Sequence, residues 1–199
     1  MIFEKEGKVL ALEEFEKLTG AKWVSLLQFE DPQIPLKIHR LVEKLHARGE
    51  LTFEQLWLGQ YFKKEILTSQ EPKVAIRYIN ADLGWGVFAL APLKKMRFIA
   101  EYVGKVRKRQ KSDEKNSYCF EYLVTHGERS LYTIDAAEQG GLARYINHSN
   151  APNLESTLAT FDNQSHVILY TKEAIAKDAQ LCYDYGPDYW AKRSKPTPL

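Results

Sequence analysis

The sequence predicts an α+β protein that is mainly β, in which a small helical region precedes a domain of several small β-sheets. In the first seventy or so residues, apolar side chains recur at the spacing of a helical stripe. Residues 68–72, Thr-Ser-Gln-Glu-Pro, break that pattern, and beyond them apolar and polar residues alternate in short runs. We therefore predict an N-terminal helical region at 1–71, a mainly β domain at 72–190 and a C-terminal tail at 191–199.

Two helices are predicted before residue 50. The first places Leu12, Phe15 and Leu18 on one face and ends at Gly20, which suits a left-handed terminator. The second has a single apolar stripe, a proline in its first turn and a glycine just after its end. The residues of this second helix are Ile34, Ile38, Leu41, Val42 and Leu45, with Pro35 and Gly49 at its ends.

A third helix begins at a capping box, in which Thr52 and Gln55 satisfy each other's free amides. We predict that its apolar face consists of Phe53, Leu56, Trp57 and Tyr61. The strands of the second region are predicted from alternating runs at 74–78, 98–102, 118–122, 131–133, 167–169 and 181–185. The tail is predicted to be unstructured.

Composition limits the classes of function. With 199 residues, 44% hydrophobic and 12% aromatic, the chain is able to bury a real core. Because no apolar run approaches the roughly 20 residues of a membrane span, no membrane association is expected. The acidic N-terminus does not fit a cleaved signal peptide. Two cysteines, Cys119 and Cys182, provide neither a disulfide framework nor a four-cysteine zinc site, so we expect an intracellular, reducing compartment and no metal.

The net charge of +2 gives no strong field for a polyanion. Two local basic runs occur, at 105–111 and 192–195, and a solvated loop or tail is the common explanation for such runs. Direct nucleic-acid binding is therefore not expected.

Four segments carry the functional signal, in the order Gly84–Ala89, Phe98–Gly104, Arg144–Asn153 and Leu181–Gly186. Taken singly, each has a simpler explanation as a hairpin turn, a strand end or a generic Asn-His-Ser turn. Together they closely resemble the motifs of SET-domain protein-lysine methyltransferases. The resemblance runs from about residue 74 to residue 190.

The resemblance implies the SET fold, in which the last strand makes a knot-like crossing with the preceding signature, and it implies S-adenosylmethionine as cofactor. It assigns catalytic roles to Tyr185, Tyr102 and Tyr183, which would line a channel for the substrate lysine. It assigns cofactor binding to Gly84, Trp85, Gly86, Tyr118, Arg144, Asn147, His148, Tyr189 and Trp190.

The chain departs from many members of this family in lacking the cysteines that hold zinc after the last strand, and it has Gln180 where a glutamate is usual. This compact, zinc-free form resembles SET proteins of bacteria associated with eukaryotic cells and of viruses. The resemblance implies methylation of a lysine in a histone tail or a histone-like basic protein, and chromatin in a host nucleus is one location that it allows. The alternative is an inactive SET-like module that binds a basic tail or a partner protein. The sequence predicts no oligomeric state.

Overall fold

The computed structural model describes residues 1–125, 130–191 and 193. Its α-helices are α1 (Leu12–Thr19), α2 (Gln33–Ala47), α3 (Phe53–Tyr61), α4 (Lys63–Thr68) and α5 (Pro187–Trp190). Two short 3₁₀ helices span Lys111–Lys115 and Leu142–Tyr145. Most of the predicted tail, including Lys192 and Lys195 of the second basic run, lies outside the described residues.

Fifteen short strands make up the rest of the regular structure in the described part of the chain. They are β1 (Ile2–Lys5), β2 (Lys8–Leu10), β3 (Lys22–Trp23), β4 (Gln28–Phe29), β5 (Val74–Asn80), β6 (Gly84–Ala89), β7 (Phe98–Glu101), β8 (Lys105–Lys108), β9 (Cys119–Glu121), β10 (Tyr132–Asp135), β11 (Gln139–Gly140), β12 (Asn147–His148), β13 (Leu154–Phe161), β14 (Gln164–Thr171) and β15 (Gln180–Tyr183). They form a six-stranded sheet in the order β12-β15-β6-β5-β1-β2, a four-stranded sheet β4-β8-β10-β9, a three-stranded sheet β13-β14-β7 and the pair β11-β3. The predicted α+β class with several small sheets is confirmed.

The first 71 residues contribute strands as well as helices. β1 pairs in parallel with β5, β3 with β11 and β4 with β8. None of these strands was predicted, because segments of two to four residues are too short to show an alternating pattern. The N-terminal region thus supplies edge strands to three of the four sheets. The domain boundary at residue 72 stays a prediction.

The capping residues in the sequence correctly predicted where these helices begin or end. Gly20 ends α1 in the left-handed conformation with φ of 67°, and Gly49 after α2 has the same φ. At α3 the capping box is present, since the Thr52 hydroxyl accepts from the Gln55 amide at 3.1 Å and Gln55 Oε1 accepts from the Thr52 amide at 3.1 Å. These contacts involve residues three positions apart, which is why the sequence reveals them.

The predicted apolar face of α3 was wrong for three of its four residues, since only Leu56 packs, partly buried, against the main core. Phe53 and Tyr61 are 81% and 52% exposed, and Trp57 is 42% exposed with its ring stacked on Tyr61. The buried face consists of Gln55, Leu58 and Gly59. The helix turns this face inward because Gly59 lies directly against the backbone of β13, where a ring would not fit.

The main core joins the N-terminal helices to the large sheet. From α2, Ile34, Ile38, Val42 and Leu45 are buried as predicted, whereas Leu41 is exposed. In α1 only Phe15 is buried. Its predicted partners on that face, Leu12 and Leu18, are 43% and 49% exposed.

Among the described residues, none of the helices has both the length and the apolar character needed to cross a bilayer.

Substituting Gly59 with alanine should destabilise the protein. The new β-carbon would collide with the Thr160 carbonyl oxygen, so α3 must move off β13. Overpacking of this kind lowers the free energy of unfolding by about 2 kcal/mol. This loss is larger than the stabilisation expected from the higher helix propensity of alanine. Chemical denaturation measures this loss. Gln60→Ala, on the exposed side of the same helix, is the control and should stay within about 0.5 kcal/mol of the native protein. Equal stability of Gly59→Ala and the native protein would contradict the packing described.

Candidate active site

The last strand brings two distant motifs together. β15 pairs in parallel with β12, so that Asn147 lies opposite Cys182 and His148 opposite Tyr183. β15 also pairs antiparallel with β6, the strand that carries the first motif. The segments 84–89, 147–148 and 180–183 therefore lie side by side in one sheet.

The side chain of Asn153 extends this pairing beyond β12. Its Nδ2 donates to the Gln180 carbonyl at 2.8 Å, and its Oδ1 accepts from the Cys182 amide at 3.0 Å. The Ser149 amide donates to the Tyr183 carbonyl at 3.1 Å. The loop at 147–153 thus holds β15 along its length, which is the close association that the predicted crossing requires.

Three tyrosines meet at the end of this strand. The Tyr183 and Tyr185 rings lie 4.8 Å apart, and Tyr102, which follows β7, is only 4% exposed. Tyr102 donates its hydroxyl hydrogen to the Tyr118 carbonyl at 2.9 Å, and Tyr185 donates to the Ile146 carbonyl at 2.9 Å. Because both hydrogens are directed at backbone carbonyls, the lone pairs of both oxygens remain available.

Burial dominates the acid-base behaviour of these phenols. Desolvation raises the pKa of Tyr102, Tyr183 and Tyr185 well above the ordinary value of 10.0. The groups also disfavour one another's ionisation, Tyr185 acting on Tyr102 and Tyr102 on Tyr183. The three hydroxyls therefore stay neutral and share one poorly solvated environment.

A cavity of about 1160 Å³ opens on these phenols. Nine of the predicted site residues line it, namely Gly84, Trp85, Tyr102, Tyr118, Arg144, Asn147, Tyr183, Tyr185 and Tyr189. The other three predicted site residues, Gly86, His148 and Trp190, are not part of the wall.

His148 and Trp190 support Tyr185 from outside the cavity. The Trp190 ring is nearly parallel to the Tyr185 ring at 6.1 Å, and the His148 ring lies 4.7 Å from Trp190. His148 Nδ1 accepts from the Tyr185 amide at 3.2 Å, so Nε2 carries the hydrogen and donates to Asn150 Oδ1 at 3.2 Å. Both side chains therefore fix the position of the phenol.

Gly86 leaves room for two side-chain amides. A β-carbon there would lie 2.9 Å from Gln180 Nε2 and 3.3 Å from Asn147 Nδ2. Both nitrogens are buried without a hydrogen-bond partner among the described residues. A buried, unpaired donor costs about 1–3 kcal/mol, which an acceptor on a ligand would offset.

Arg144, on the cavity wall, is held in place by contacts with neighbouring protein groups. Its guanidinium lies 4.0 Å from the centre of the Tyr118 ring and donates to the carbonyls of Ala136 and Ala137 at 2.6 and 3.2 Å. It therefore links the signature to the segment after β10 as well as facing the cavity.

A buried ion network fixes another wall. Arg107, which sequence analysis placed in a basic run, is 9% exposed and donates at 2.7 Å to both Asp113 and Asp135. Asn116 also donates to Asp135 at 2.9 Å. Burial opposes ionisation of Asp135, but hydrogen bonds from the Ala137 amide and Arg107 hold its pKa below the usual value. The segment at 111–116 is therefore held at the cavity edge.

Arg193, also on the cavity wall, binds the same 111–116 turn. It donates to the Glu114 and Asn116 carbonyls at 2.8 and 3.1 Å, and its guanidinium lies 4.4 Å from the Tyr189 ring centre. The basic run at 192–195 predicts that this arginine belongs to a solvated loop or tail. In the structure it connects the segment after α5 to the 111–116 turn.

Among the described residues, no His, Cys, Asp and Glu side chains are grouped as metal ligands.

Other residues of the cavity wall were not predicted as site residues, and the most distant in sequence from the motifs are Leu18 and Thr19 at the end of α1. No local signal marks them, because the motif beside which they lie begins at residue 84.

Comparison with known proteins identifies relatives of this chain. Histone-lysine N-methyltransferase Set8 of Drosophila pseudoobscura pseudoobscura is 36% identical over 154 residues, covering 73% of this chain and 22% of that protein. Histone-lysine N-methyltransferase ASHH1 of Arabidopsis thaliana is 36% identical over 115 residues, covering 54% of this chain and 23% of that protein. The chain thus spans less than a quarter of the length of these curated relatives.

Solved structures have the same architecture. The crystal structure of Arabidopsis thaliana SUVH6 in complex with SAM is similar with a TM-score of 0.50 and 30% identity, over 59% of this chain and 28% of that chain. A chain of the Chaetomium thermophilum polycomb repressive complex 2 shares the fold, with a TM-score of 0.54 and 22% identity over 66% of this chain and 17% of that chain. The family model described as SET domain matches residues 84–186, more than half of the sequence, and this protein therefore belongs to the SET domain family.

Proposed function

We propose that this chain transfers a methyl group from S-adenosylmethionine to the side-chain amine of a lysine in a protein. The observation that carries the proposal is the meeting of three neutral phenols and the unpaired Asn147 amide on the wall of one cavity. The names of the relatives, histone-lysine N-methyltransferases, support it. A SUVH6 structure in complex with SAM supports the choice of cofactor.

The residues of the cavity fit this cofactor. Asn147 would donate to an oxygen of its amino acid end, since its buried amide has no partner among the described residues. Gly84 has open space where a β-carbon would lie, which leaves the start of β6 uncovered for a close approach. When bound, S-adenosylmethionine supplies a methyl group on a positively charged sulfur.

The phenols would make the lysine amine reactive. A free lysine with a pKa near 10.4 is neutral in only about one molecule in a few thousand at pH 7. The burial that raises the pKa of the tyrosines disfavours any charge, and it would lower the pKa of a lysine held among Tyr102, Tyr183 and Tyr185. The channel would therefore raise the neutral fraction of the amine.

The same phenols would orient the amine. Because Tyr102 and Tyr185 donate their hydrogens to carbonyls, their oxygens are available to accept from the amine N–H groups. With its hydrogens held in this way, the nitrogen would direct its lone pair along the channel, as an in-line displacement requires. Retention of these groups in one cavity supports an enzyme rather than an inactive binding module.

Within this proposal the substrate is a histone or a histone-like basic protein, and chromatin is the setting.

The charges of the site argue against nucleic acid as a ligand. In the basic run at 105–111, Lys105 pairs with Glu30 and Arg107 is buried with its two aspartates, while Arg109 pairs with Glu121. These cations are therefore partly neutralised by their own neighbours.

Replacing Tyr185 with phenylalanine should lower turnover by about a hundredfold or more, because the amine loses its acceptor. Stability should fall by only about 1 kcal/mol, since the Ile146 carbonyl loses one hydrogen bond. Transfer of label from methyl-labelled S-adenosylmethionine to a mixture of histones and cell lysate measures the turnover. The native protein should label histone bands, and failure to label any protein would contradict the proposed function.

Tyr122→Phe is the matched control. Tyr122 is also buried, and its hydroxyl also donates to a backbone carbonyl, that of Ser165 at 2.6 Å, but the residue does not line the cavity. This variant should be destabilised to a similar extent and keep its activity. Equal losses in the two variants would remove Tyr185 from the catalytic role.

Activity should rise with pH. Between about pH 7 and pH 9, each unit increases the neutral fraction of free lysine about tenfold, so kcat/KM for a histone peptide should increase. The tyrosines have pKa values raised above 10.0, so their neutral forms persist and no phenolate opposes the rise. Initial rates at saturating cofactor test this, with near-UV circular dichroism to confirm folding at each pH. A fall in kcat/KM over this interval in folded protein would show that a phenol ionises in the site.

A further inference from the structure

The end of α1 lies on the wall of the cavity beside β6. Leu18 and Thr19 line it together with Gly84 and Trp85. Leu18 is 49% exposed, although its helical spacing from Phe15 predicts that both are buried. A large apolar side chain left uncovered on a cavity wall gains free energy when a ligand covers it.

Aromatic contacts hold α1 against the motif strands. The Phe15 ring is stacked on Phe3 of β1 at 4.2 Å and meets Trp85 of β6 edge-on at 4.9 Å. On its other side it lies 5.0 Å from Tyr145 of the Arg144–Asn153 signature. The cluster joins the N-terminal region to two of the motifs that form the cavity.

Hydrogen bonds fix the last turn of the helix. The Tyr145 hydroxyl donates to Thr19 Oγ1 at 3.5 Å, and Thr19 Oγ1 donates to the Phe15 carbonyl at 3.0 Å. Farther along, the Trp23 amide donates to Glu16 Oε1 at 2.6 Å. Leu18 is therefore presented from a turn that is anchored on both sides.

We propose that Leu18 is a cofactor-binding residue and that the last turn of α1 is a wall of the cofactor end of the cavity. This inference rests on the proposed function. The ligand is an adenosyl sulfonium, whose ring and aliphatic chain offer apolar surface, and Leu18 would cover part of it next to Trp85. The N-terminal region then takes part in binding rather than only in folding.

Calorimetric titration of the full chain with S-adenosylmethionine tests this inference. Leu18→Ala should weaken binding about fivefold, as expected for the loss of part of a leucine contact. Leu12→Ala is the matched control, because Leu12 belongs to the same helix and is 43% exposed but does not line the cavity. It should bind like the native protein. In turnover, Leu18→Ala should raise KM for the cofactor by the same factor and leave KM for the histone peptide unchanged.

The outcomes separate the two proposals. If the native protein and both variants bind equally well, the inference is overturned and the proposed function stands. If both variants are weakened equally, or if Leu18→Ala lowers the melting temperature of the free protein, Leu18 has only a structural role and the inference is overturned. If the folded native protein does not bind the cofactor, both proposals fail.

Discussion

The candidate active site depends on the way β15 is held by two neighbouring strands and a side chain. β6 and β12 both pair with it, and the Asn153 side chain bonds to its backbone at Gln180 and Cys182. A strand of four residues has too few hydrogen bonds to be rigid by itself, and the loop at 147–153 supplies the rest. Because Tyr183 ends this strand and Tyr185 follows it, the same contacts determine where the phenols meet Tyr102. Loss of these contacts to β15 would separate the three tyrosines even if every side chain of the site were retained.

The cavity also depends on residues well outside the family match. The segment before residue 84 supplies β1, β3 and β4 to three sheets and places α1 against Trp85 and Tyr145. After the matched range, Arg193 donates to the Glu114 and Asn116 carbonyls of the 111–116 turn, which Arg107, inside the match, holds through its ion pair with Asp113. Arg193 joins this turn to the segment after β15 through backbone carbonyls and the Tyr189 ring. An arginine is suited to this because its guanidinium can donate to several acceptors at once.

Sequence was informative where the determinants are local. The capping box at Thr52 and the glycine after α1 involve neighbours in the chain, and both helix ends were predicted. The buried face of α3 was not, because the approach of Gly59 to β13 outweighs the hydrophobicity of Phe53, and that partner lies about a hundred residues away. Nine of the site residues predicted from the motifs line one cavity. The spacing of residues along the sequence could not show that His148 and Trp190 pack behind Tyr185. The roles of these residues stay predictions.

Equilibrium dialysis with labelled S-adenosylmethionine tests the central claim most directly, because it requires no knowledge of the substrate. The native chain should bind one equivalent. Gly86→Val, whose side chain would collide with the Asn147 and Gln180 side-chain amides and displace them, should fold and bind none. A folded native protein that retains no cofactor, or a Gly86→Val variant that retains as much as the native protein, would contradict this account.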